Sequence, residues 1–516
     1  MAAGASTDQN IQNVRVKGVL SDDLTYIRQS FHHCSDLVYR TFSFPSGHQG
    51  ALVFMDGLVD DTRIEEVILE PLKTGILTQY ERLNLSDSDL RSLLELSLNE
   101  IQADQVKTLD MMSEIAGSIC LGDTALFMQG LPMVCLISLR KSEHRAVEEP
   151  GTEMAIRGPR DGFVENLRTN TTLLRRRLPT PDLKMETMQV GRLSKTQVVI
   201  AYLDSVVMPG LTEEIKKRIS RIDIDAVLDS HYIEELITDS ALSIFPLILN
   251  TERPDKVTAA ILEGRAAILV DNTPFALIAP TVVADSIQTR EDYYQNYLVA
   301  TALRWLRIWL HFSALVFPSI YVALSTYHQE MIPTNLLLSI ASSREEVPFP
   351  AIVEALLMEA AFEGLREAGI RLPRAVGQAV SIVGALVIGQ AAVQAGIVSA
   401  TLVIVVSFTG IASFVFPLYN QGMAVRVLRF PMIVMAGFLG LYGIFLGLLI
   451  LLIHLCKLRS FGVPYLSPLA PLHGRDLKDS LIRIPLWGAK YRPAFIQRAN
   501  SRRMKGDLRP EPAAKK

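Results

Sequence analysis

The stretch VGQAVSIVGALVIGQAAVQAGIVS, residues 376–399, decides the fold class of this chain. It holds no charged side chain in 24 consecutive residues. A helix rises about 1.5 Å per residue, so about 20 apolar residues cross a hydrocarbon core about 30 Å thick. The stretch therefore predicts a membrane-spanning helix.

Small residues recur at every third or fourth position of this stretch and would form one stripe along a helix. They are Gly377, Ser381, Ala385, Gly389, Ala392 and Gly396. Small side chains let helix backbones approach closely in lipid. The stripe predicts a helix-packing surface, and two uses of it stay open: packing between the subunits of a ring, or packing between helices of one chain.

The opposite face of the same helix carries larger side chains. They are Val383, Val387, Gln390 and Gln394. Amides at membrane depth need a partner helix or water. The face is therefore predicted to contact a partner helix or water.

Four segments are predicted to span the membrane, and one further helix is ambiguous. The spans are 297–324, 376–399, 401–419 and 431–456. Arg304 and Arg307 in the first span are expected to extend to the cytoplasmic face. The helix 351–368 is predicted to be re-entrant or an additional span, so the number of spans stays open at four or five.

The helix 351–368 has two candidate functional features. Pro348 and Pro350 precede it, and they predict a hinge because proline favours a helix start and interrupts a helix that comes from upstream. Three acidic residues recur on one face at i, i+4 and i+8: Glu359, Glu363 and Glu367. Acidic groups at such a depth are expected to be interfacial or to face an aqueous path.

The rest of the chain predicts a soluble α/β part. Of the 516 residues, 49% are hydrophobic, which indicates a membrane protein with a soluble region, and the net charge of -3 gives no indication of nucleic-acid binding. The predicted organisation is a disordered N-terminus (1–20), two α/β soluble subdomains (21–145 and 146–290), an α-helical polytopic membrane domain (291–456) and a basic cytoplasmic tail (457–516). Because no signal peptide begins the chain, the N-terminal region is also predicted to be cytoplasmic.

Apolar runs on either side of turn residues predict two β-hairpins in the soluble part. One pairs 124–128 with 133–139, and the other pairs 266–270 with 275–279. Leucine spacing predicts a helix at 87–99. The three arginines at 175–177 are predicted to form a solvated helix face, with a specific anion site as the alternative. No repeat array is evident.

The sequence contains no P-loop, GxSxG, HExxH or GxGxxG motif. Its four cysteines have no zinc-site spacing. The chain is therefore not predicted to be an enzyme, and no catalytic residue, metal or cofactor is expected.

Several long motifs resemble one family. They are SRIDIDAVLDSHYIEELI (220–237), NTERPDKVTAAILEGRAAILVDNTPFALIAPT (250–281), PFPAIVEALLMEAAFEGLREAGIRLPR (348–374) and AVGQAVSIVGALVIGQAAVQAGIVS (375–399). Together they are similar to the GerA-type spore germination proteins, the A subunits of spore germinant receptors. The resemblance extends from about Leu24 to about Arg492.

The resemblance implies an integral protein of the endospore inner membrane that starts germination when nutrients bind. It implies a transporter-like B subunit and a lipoprotein C subunit as partners, and self-association into an oligomeric, ligand-gated cation channel. In such a channel the pore would be lined or gated by Val383, Val387, Gln390 and Gln394, because apolar rings close a pore by dewetting and amides serve a hydrated ion. Glu359, Glu363 and Glu367 would draw cations toward the pore mouth, or they would only face water. The resemblance does not identify the nutrient.

A second interpretation stays open, in which the chain is a non-conducting scaffold or relay subunit. It could also be a transporter component whose partners carry ligand binding and transport. A transporter predicts paired broken helices in two halves of the chain. The sequence indicates one broken region, near 342–350, which favours the receptor subunit.

Overall fold

A computed structural model describes most of the chain. The described residues are 14–43, 49–70, 106–141, 149–151, 153, 155–372, 387–496, 500–504, 506 and 508–510. They form two compact units. The first contains the described residues up to Thr238 with Ile248–Pro280 and Tyr491–Arg503, and the second contains Asp239–Leu247, Thr281–Lys490 and the described residues from Met504. Each unit is thus built from several separate stretches of the chain. The domain boundaries given above remain predictions from the sequence.

The first unit contains two five-stranded antiparallel sheets. The first sheet consists of β1 (Leu37–Ser43), β2 (Gln49–Met55), β3 (Val106–Leu109), β4 (Asp123–Met128) and β5 (Val134–Ser138), in the order β1-β2-β4-β5-β3. The second consists of β6 (Leu183–Val190), β7 (Thr196–Leu203), β8 (Leu249–Thr251), β9 (Ala266–Val270) and β10 (Ala276–Ala279), in the order β6-β7-β9-β10-β8. Both predicted hairpins are confirmed, as β4–β5 and β9–β10.

The two sheets are topological copies, because each orders its strands first, second, fourth, fifth, third. The helices of this unit are α1 (Leu20–Ser30), α2 (Asp61–Arg63, continued by a π-helical turn at Ile64–Leu69), α3 (Met112–Cys120), α4 (Leu167–Arg177), α5 (Leu211–Ile219), α6 (Ser230–Ile237) and α7 (Pro254–Leu262). Helices α1 and α4 each precede the first strand of a sheet, and α3 and α7 each connect its third and fourth strands. The predicted helix at 87–99 lies outside the described residues.

Central strand β2 is apolar on both faces because both faces are covered. Its alternate residues Ala51 and Val53 enter one core cluster, whereas Leu52 and Phe54 enter another. This alternation follows the pleat of a strand.

Arg175 connects the two sheets, because it lies on α4, which precedes the second sheet, and binds Asp36, which directly precedes β1 of the first sheet. Its guanidinium donates to both carboxylate oxygens of Asp36, at 3.0 Å each, and to the carbonyls of Thr180 and Leu183, at 2.9 Å each. Its side chain is buried, so the predicted solvated face at 175–177 is wrong for this residue. Burial alone would lower the pKa of Arg175, but the charge of Asp36 outweighs it and the pKa is raised.

The second unit is helical. Its helices are α8 (Glu291–Tyr294), α9 (Tyr297–Thr326), α10 (Thr334–Arg344), α11 (Ala351–Arg371), α12 (described over 387–394), α13 (Ala400–Ser413), α14 (Tyr419–Lys457) and α15 (Gly474–Leu481), with a two-stranded sheet of β11 (Arg459–Ser460) and β12 (Val463–Pro464). By length and composition, α9 and α14 are able to cross a membrane. Helix α13 is apolar but has only 14 residues.

Helix α14 reverses direction at Gly440. The backbone there has φ 61° and ψ −142°, outside the helical region. Gly443 lies against the carbonyl of Met435, and Gly447 lies against the sulfur of Met432. In a straight helix these pairs would be about 12 and 22 Å apart along the axis. Whereas the sequence predicts 431–456 as one span, the structure divides this segment into the two arms of a hairpin, 419–439 and 441–457.

Replacing Gly440 with alanine is expected to destabilise the chain by about 1–3 kcal/mol, because only glycine adopts this backbone conformation without strain. The added Cβ would also lie 2.7 Å from the His328 ring. Thermal unfolding of the detergent-solubilised chain measures the effect. Gly364→Ala is the matched control, since Gly364 is helical and a Cβ there meets no atom within 4 Å. An equal effect at both glycines would contradict the prediction.

Helices α9, α11, α12 and α13 and the two arms of α14 run alternately between two ends of the second unit. The near end holds Tyr297 at the start of α9, and the far end holds Tyr327 and Gly440. Tyr327 donates its hydroxyl to the carbonyls of Gly437 and Phe438, at 3.1 and 3.0 Å. Helix α9 and the first arm of α14 therefore both run from near to far, and the second arm returns.

Contacts fix the directions of the remaining helices. Helix α11 runs from far to near, because Ile352 lies against Gly437 and Glu363 pairs with Arg426. Helix α13 also runs from far to near, because it begins beside Tyr321, which contacts Ser399. Helix α12 runs from near to far, because the chain passes from it directly into the far-end start of α13.

Candidate functional site

Acidic residues of α11 lie at several depths of the helical unit. The helix begins at Ala351 directly after Pro350, whose φ of −59° suits a helix start. Glu354 and Glu359 are completely buried, and Glu367 is exposed. Buried carboxylates among apolar helices need partners.

Glu359 is paired with Arg429 in the middle of the unit. Arg429 donates from Nη1 to Glu359 Oε2 at 2.5 Å and from Nε to the carbonyl of Ala314 at 2.8 Å. Thr409 donates to the other Glu359 oxygen at 3.5 Å. Arg429 lies ten residues after Tyr419 and eleven before Gly440, hence about 15 Å from either end of its arm. Within the described chain its Nη2 has no hydrogen-bond partner.

The pairing continues toward the near end. Arg426 contacts Glu363 at 3.1 Å, and Arg371 contacts Glu367 at 2.7 Å on the surface. Oxygen Oε1 of Glu363 is buried and accepts no hydrogen bond from any described residue. The three predicted acidic residues thus lie on one face, and each is paired with an arginine of the same chain.

Sequence reasoning missed Arg426 and Arg429. The sequence did indicate this pairing, because two arginines spaced by three residues in an apolar helix require acidic partners at the same depth. The two arginines are three residues apart and Glu359 and Glu363 are four apart, so each pair lies on one face of its helix and the two faces meet on antiparallel helices.

Glu354 connects the starts of two helices at the far end. Its Oε1 accepts a hydrogen bond of 2.5 Å from the backbone of Ser399, and Arg344 lies 3.7 Å from its Oε2. Ser399 caps α13 by accepting from the backbone of Leu402, and its hydroxyl is 3.0 Å from that of Tyr321. Helices α11 and α13 therefore begin at one hydrogen-bonded cluster.

The predicted hinge lies beside the end of α12. Pro348 and Pro350 are exposed in the link between α10 and α11. Gly396 ends α12 with φ 61°, and a Cβ there would lie 3.1 Å from the carbonyl oxygen of Glu346. The hinge segment is thus in backbone contact with the predicted pore helix.

In the described part of α12, one of the two predicted faces is buried and the other is exposed. Gly389 and Ala392 are buried, and Gly389 lies against Val403 of α13. Val387, Gln390 and Gln394 are exposed on the other face. Gly377, Ser381, Val383 and Ala385 lie outside the described residues. Packing within one chain therefore explains the small residues Gly389 and Ala392, whereas the face with Val387, Gln390 and Gln394 stays exposed.

A second buried charge cluster holds the near end of α9. Asp292 is contacted by Arg304 at 3.1 Å and by Arg307 at 2.5 Å. Arg304 also donates to the backbone carbonyls of Asp479 and Ser480, in the last turn of α15. Arg304 is completely buried, so the expectation that it extends to the cytoplasmic face is wrong, because Asp292 compensates its charge.

Asp292 stays ionised in this cluster. Burial alone would raise the pKa of its carboxyl, but the hydrogen bond and charge of Arg307 and the charge of Arg304 hold that pKa below its ordinary value. Through Arg304, this charge cluster also connects the near end of α9 to the last turn of α15.

The family model of the Bacillus/Clostridium GerA spore germination proteins matches residues 25–495. The chain belongs to the GerA family. The family predicted from the sequence is confirmed. With α9 and α14, this membership identifies a membrane-associated spore germination protein.

Relatives match along nearly the whole GerA chain. Spore germination protein KA of Bacillus subtilis (strain 168) is 43% identical over 97% of this chain and 91% of that protein. The membrane protein YfkQ of the same organism, described as uncharacterised, is 46% identical over 96% of this chain and 94% of that protein. The crystal structure of the N-terminal domain of the A subunit of the Bacillus megaterium spore germinant receptor GerK3 is 33% identical, covers 52% of this chain and 98% of that chain, and has a TM-score of 0.42.

Proposed function

We propose that this chain is the A subunit of a nutrient germinant receptor in the endospore inner membrane. In this role it relays nutrient binding to cation release, as an oligomeric ligand-gated channel that works with a B and a C subunit. The observation that carries the proposal is the combination of the buried Glu359–Arg429 pair in the middle of the helical unit with an exposed Val387, Gln390 and Gln394 face on α12. Ionisable groups at such a depth mark ion paths and switches in membrane proteins.

In the proposed topology the chain crosses the membrane six times. The crossings are α9, α11, α12 with the residues before it, α13, and the two arms of α14. Their alternating directions support this topology, since every crossing from near to far is followed by a return. An even number places the N-terminal region and the tail on one side, the cytoplasm, and makes α11 a crossing rather than a re-entrant helix.

The acid–arginine pairs would hold the closed state. Arg426 and Arg429 fasten α11 to α14 while they neutralise Glu363 and Glu359. A shift of α11 along α14 would separate the pairs and expose carboxylates, which then attract cations. Separation is costly because a buried charge without a partner is unfavourable by several kcal/mol, so the closed state has a defined barrier.

The hinge would transmit the signal to α12. The backbone of Gly396 touches Glu346 just before Pro348, and Glu354 just after Pro350 holds the start of α13. Movement of the 345–350 link would therefore shift both ends of the turn between α12 and α13. Val387 and Gln390 on α12 would follow this movement and change the pore radius.

Cation flux from liposomes that contain the purified full-length chain tests the proposal. Val387→Glu is expected to raise the cation flux at least several-fold and Val387→Ala to change it measurably, because both alter the proposed constriction. Val427→Glu is the matched control, because Val427 is also valine and is equally exposed, at 55%, but lies on α14.

The result is meaningful only when all variants keep the oligomer size and helical content of the wild type. An equal response to substitutions at 387 and 427 would remove α12 from the pore. Purified protein that is monomeric and silent in every form would overturn the channel.

One observation favours the second candidate, a non-conducting scaffold or relay subunit. The described part of the small-residue stripe is occupied within the chain, since Gly389 already packs on Val403. A ring must then form through other surfaces. The monomeric, silent outcome would support this candidate, in which partner subunits conduct.

A further inference from the structure

An apolar groove runs along the near half of the α14 hairpin. Its volume is about 350 Å³, within the range of about 300–1,000 Å³ typical of small-molecule sites. One wall comes from both arms, and it includes Leu428, Met432, Ile450 and His454. The other wall comes from the segment Asp239–Leu247, through Leu242, Ile244 and Phe245.

The chain itself holds this second wall in place. The carbonyl of Leu247 accepts from the Ser460 hydroxyl at 2.6 Å, and Asp239 accepts from the backbone of Phe461. Phe245 is buried, and its ring is 6.2 Å from that of His454. The segment is thus anchored at both ends, so contacts within the chain fix the second wall of the groove.

The groove remains open on its outer side. Leu242 is 96% exposed and Ile450 is 55% exposed. Exposed apolar area of this kind is unfavourable in water, at about 25 cal/mol per Å². His454 is the one polar side chain in the lining, so a nutrient with many hydrogen-bonding groups would leave them unpaired there. The groove instead suits an alkyl chain, and methionines such as Met432 adapt to its shape.

We infer that the groove binds one acyl chain of a phospholipid from the surrounding bilayer. The inference rests on the proposed placement of the hairpin in the membrane. Two observations select a phospholipid. The groove is continuous with the exposed apolar surface of α14, which includes Phe445, Leu449 and Ile453. Exposed Lys457 and Arg459 follow His454 at the near end, where they meet the phosphate of a headgroup.

A bound acyl chain would fasten the Asp239–Leu247 segment to the hairpin. It would contact Leu242 and Ile244 on one side and Ile450 on the other, and so bury all three. The lipid thereby becomes a structural element of the near half of the hairpin, and anionic lipid is preferred because both mouth residues are basic.

The test uses the full-length chain in nanodiscs of phosphatidylglycerol and phosphatidylcholine that contain a photoactivatable acyl chain. Covalent labelling of the peptide that contains residues 239–247 is expected. Ile450→Trp, which fills the groove, is expected to reduce this labelling at least several-fold. The matched control is Ile453→Trp, since Ile453 lies on the same arm outside the groove, and it should leave labelling unchanged. Lys457→Gln together with Arg459→Gln should abolish the preference for phosphatidylglycerol.

Labelling at Phe312, an exposed residue of α9, reports insertion of the chain independently of the groove. Loss of labelling at both places would show that the proposed membrane placement fails. Insertion with equal labelling of 239–247 in the two tryptophan variants would show general lipid contact and overturn the groove site. Displacement of the label by a water-soluble apolar compound, but not by added phospholipid, would assign the groove to a different ligand and also overturn the inference.

Discussion

Replacing Arg429 with methionine is expected to lower the free energy of unfolding of the full-length chain by about 3–5 kcal/mol. Methionine fills much of the same space, so the loss comes from Glu359, which stays buried without its charged partner. The carbonyl of Ala314 also loses its donor. Denaturation of the purified chain in mild detergent, followed by its far-ultraviolet circular dichroism, measures the change.

A second substitution separates charge from packing. Adding Glu359→Gln to Arg429→Met removes the uncompensated charge, and the double variant should recover most of the lost stability. The matched control is Arg371→Met, which breaks the exposed pair with Glu367 and should cost about 0–1 kcal/mol. A double variant no more stable than Arg429→Met alone would show that the charge pair is not the cause.

If the pairs form the closed state, the double variant has a functional signature as well. It keeps the fold but no longer resists separation of α11 from α14, so its cation flux should be higher without nutrient. A merely structural pair would leave flux unchanged once stability is restored. The two measurements together distinguish a gate from a scaffold.

Local patterns in the sequence predicted those elements whose cause is local. Strands β9 and β10 follow from two apolar runs around Asp271 and Pro274, because turn residues and strand residues are adjacent in the chain. Helix α9 likewise follows from one continuous apolar segment. The family was predicted from several long motifs, which are much more specific than a short sequence pattern.

The reversal in α14 had no such local cause. Gly437, Gly440, Gly443 and Gly447 look equivalent in the sequence. Gly440 differs only through its backbone conformation and through Tyr327, which satisfies the carbonyls released by the break and lies more than 100 residues earlier. The partners of Glu359 and Glu363 were missed for the same reason, since they lie 70 and 63 residues away.

The α14 break also bears on the transporter interpretation. Discontinuous transporter helices place half-helix ends near mid-depth, where they bind a substrate. Gly440 lies at the far end and turns the chain back, so it forms a hairpin tip. The middle of the helical unit instead holds Arg429, on the first arm of α14, paired with Glu359 on α11. Among the described residues, a buried ion pair thus occupies the position where a transporter would hold its substrate.

Replacing Asp292 with asparagine is expected to destabilise the chain by about 3–5 kcal/mol at pH 7 and to release the tail segment after α15. The variant leaves Arg304 completely buried without a charged partner, and Arg307 loses its contact of 2.5 Å. Arg483 donates to the backbone carbonyl of residue 292 at 3.2 Å, so its hold weakens as the destabilised charge cluster loosens this backbone. Limited trypsin digestion should cut at Arg483 many-fold faster than in the wild type. The control Glu330→Gln, an exposed carboxylate elsewhere in the same unit, should change neither stability nor cleavage.

The effect has a defined pH dependence because the folded-state pKa of Asp292 is lowered. The stabilisation is fully present above the unfolded-state pKa of about 3.9, and it is lost as the pH falls through the lower folded-state pKa. The stability difference between wild type and Asp292→Asn should therefore be constant from pH 7 to about pH 5 and shrink below about pH 4. A difference that disappears between pH 7 and 5 would assign the effect to another group. A constant difference down to pH 2 would show that the charge of Asp292 does not hold the near end of α9 to the tail.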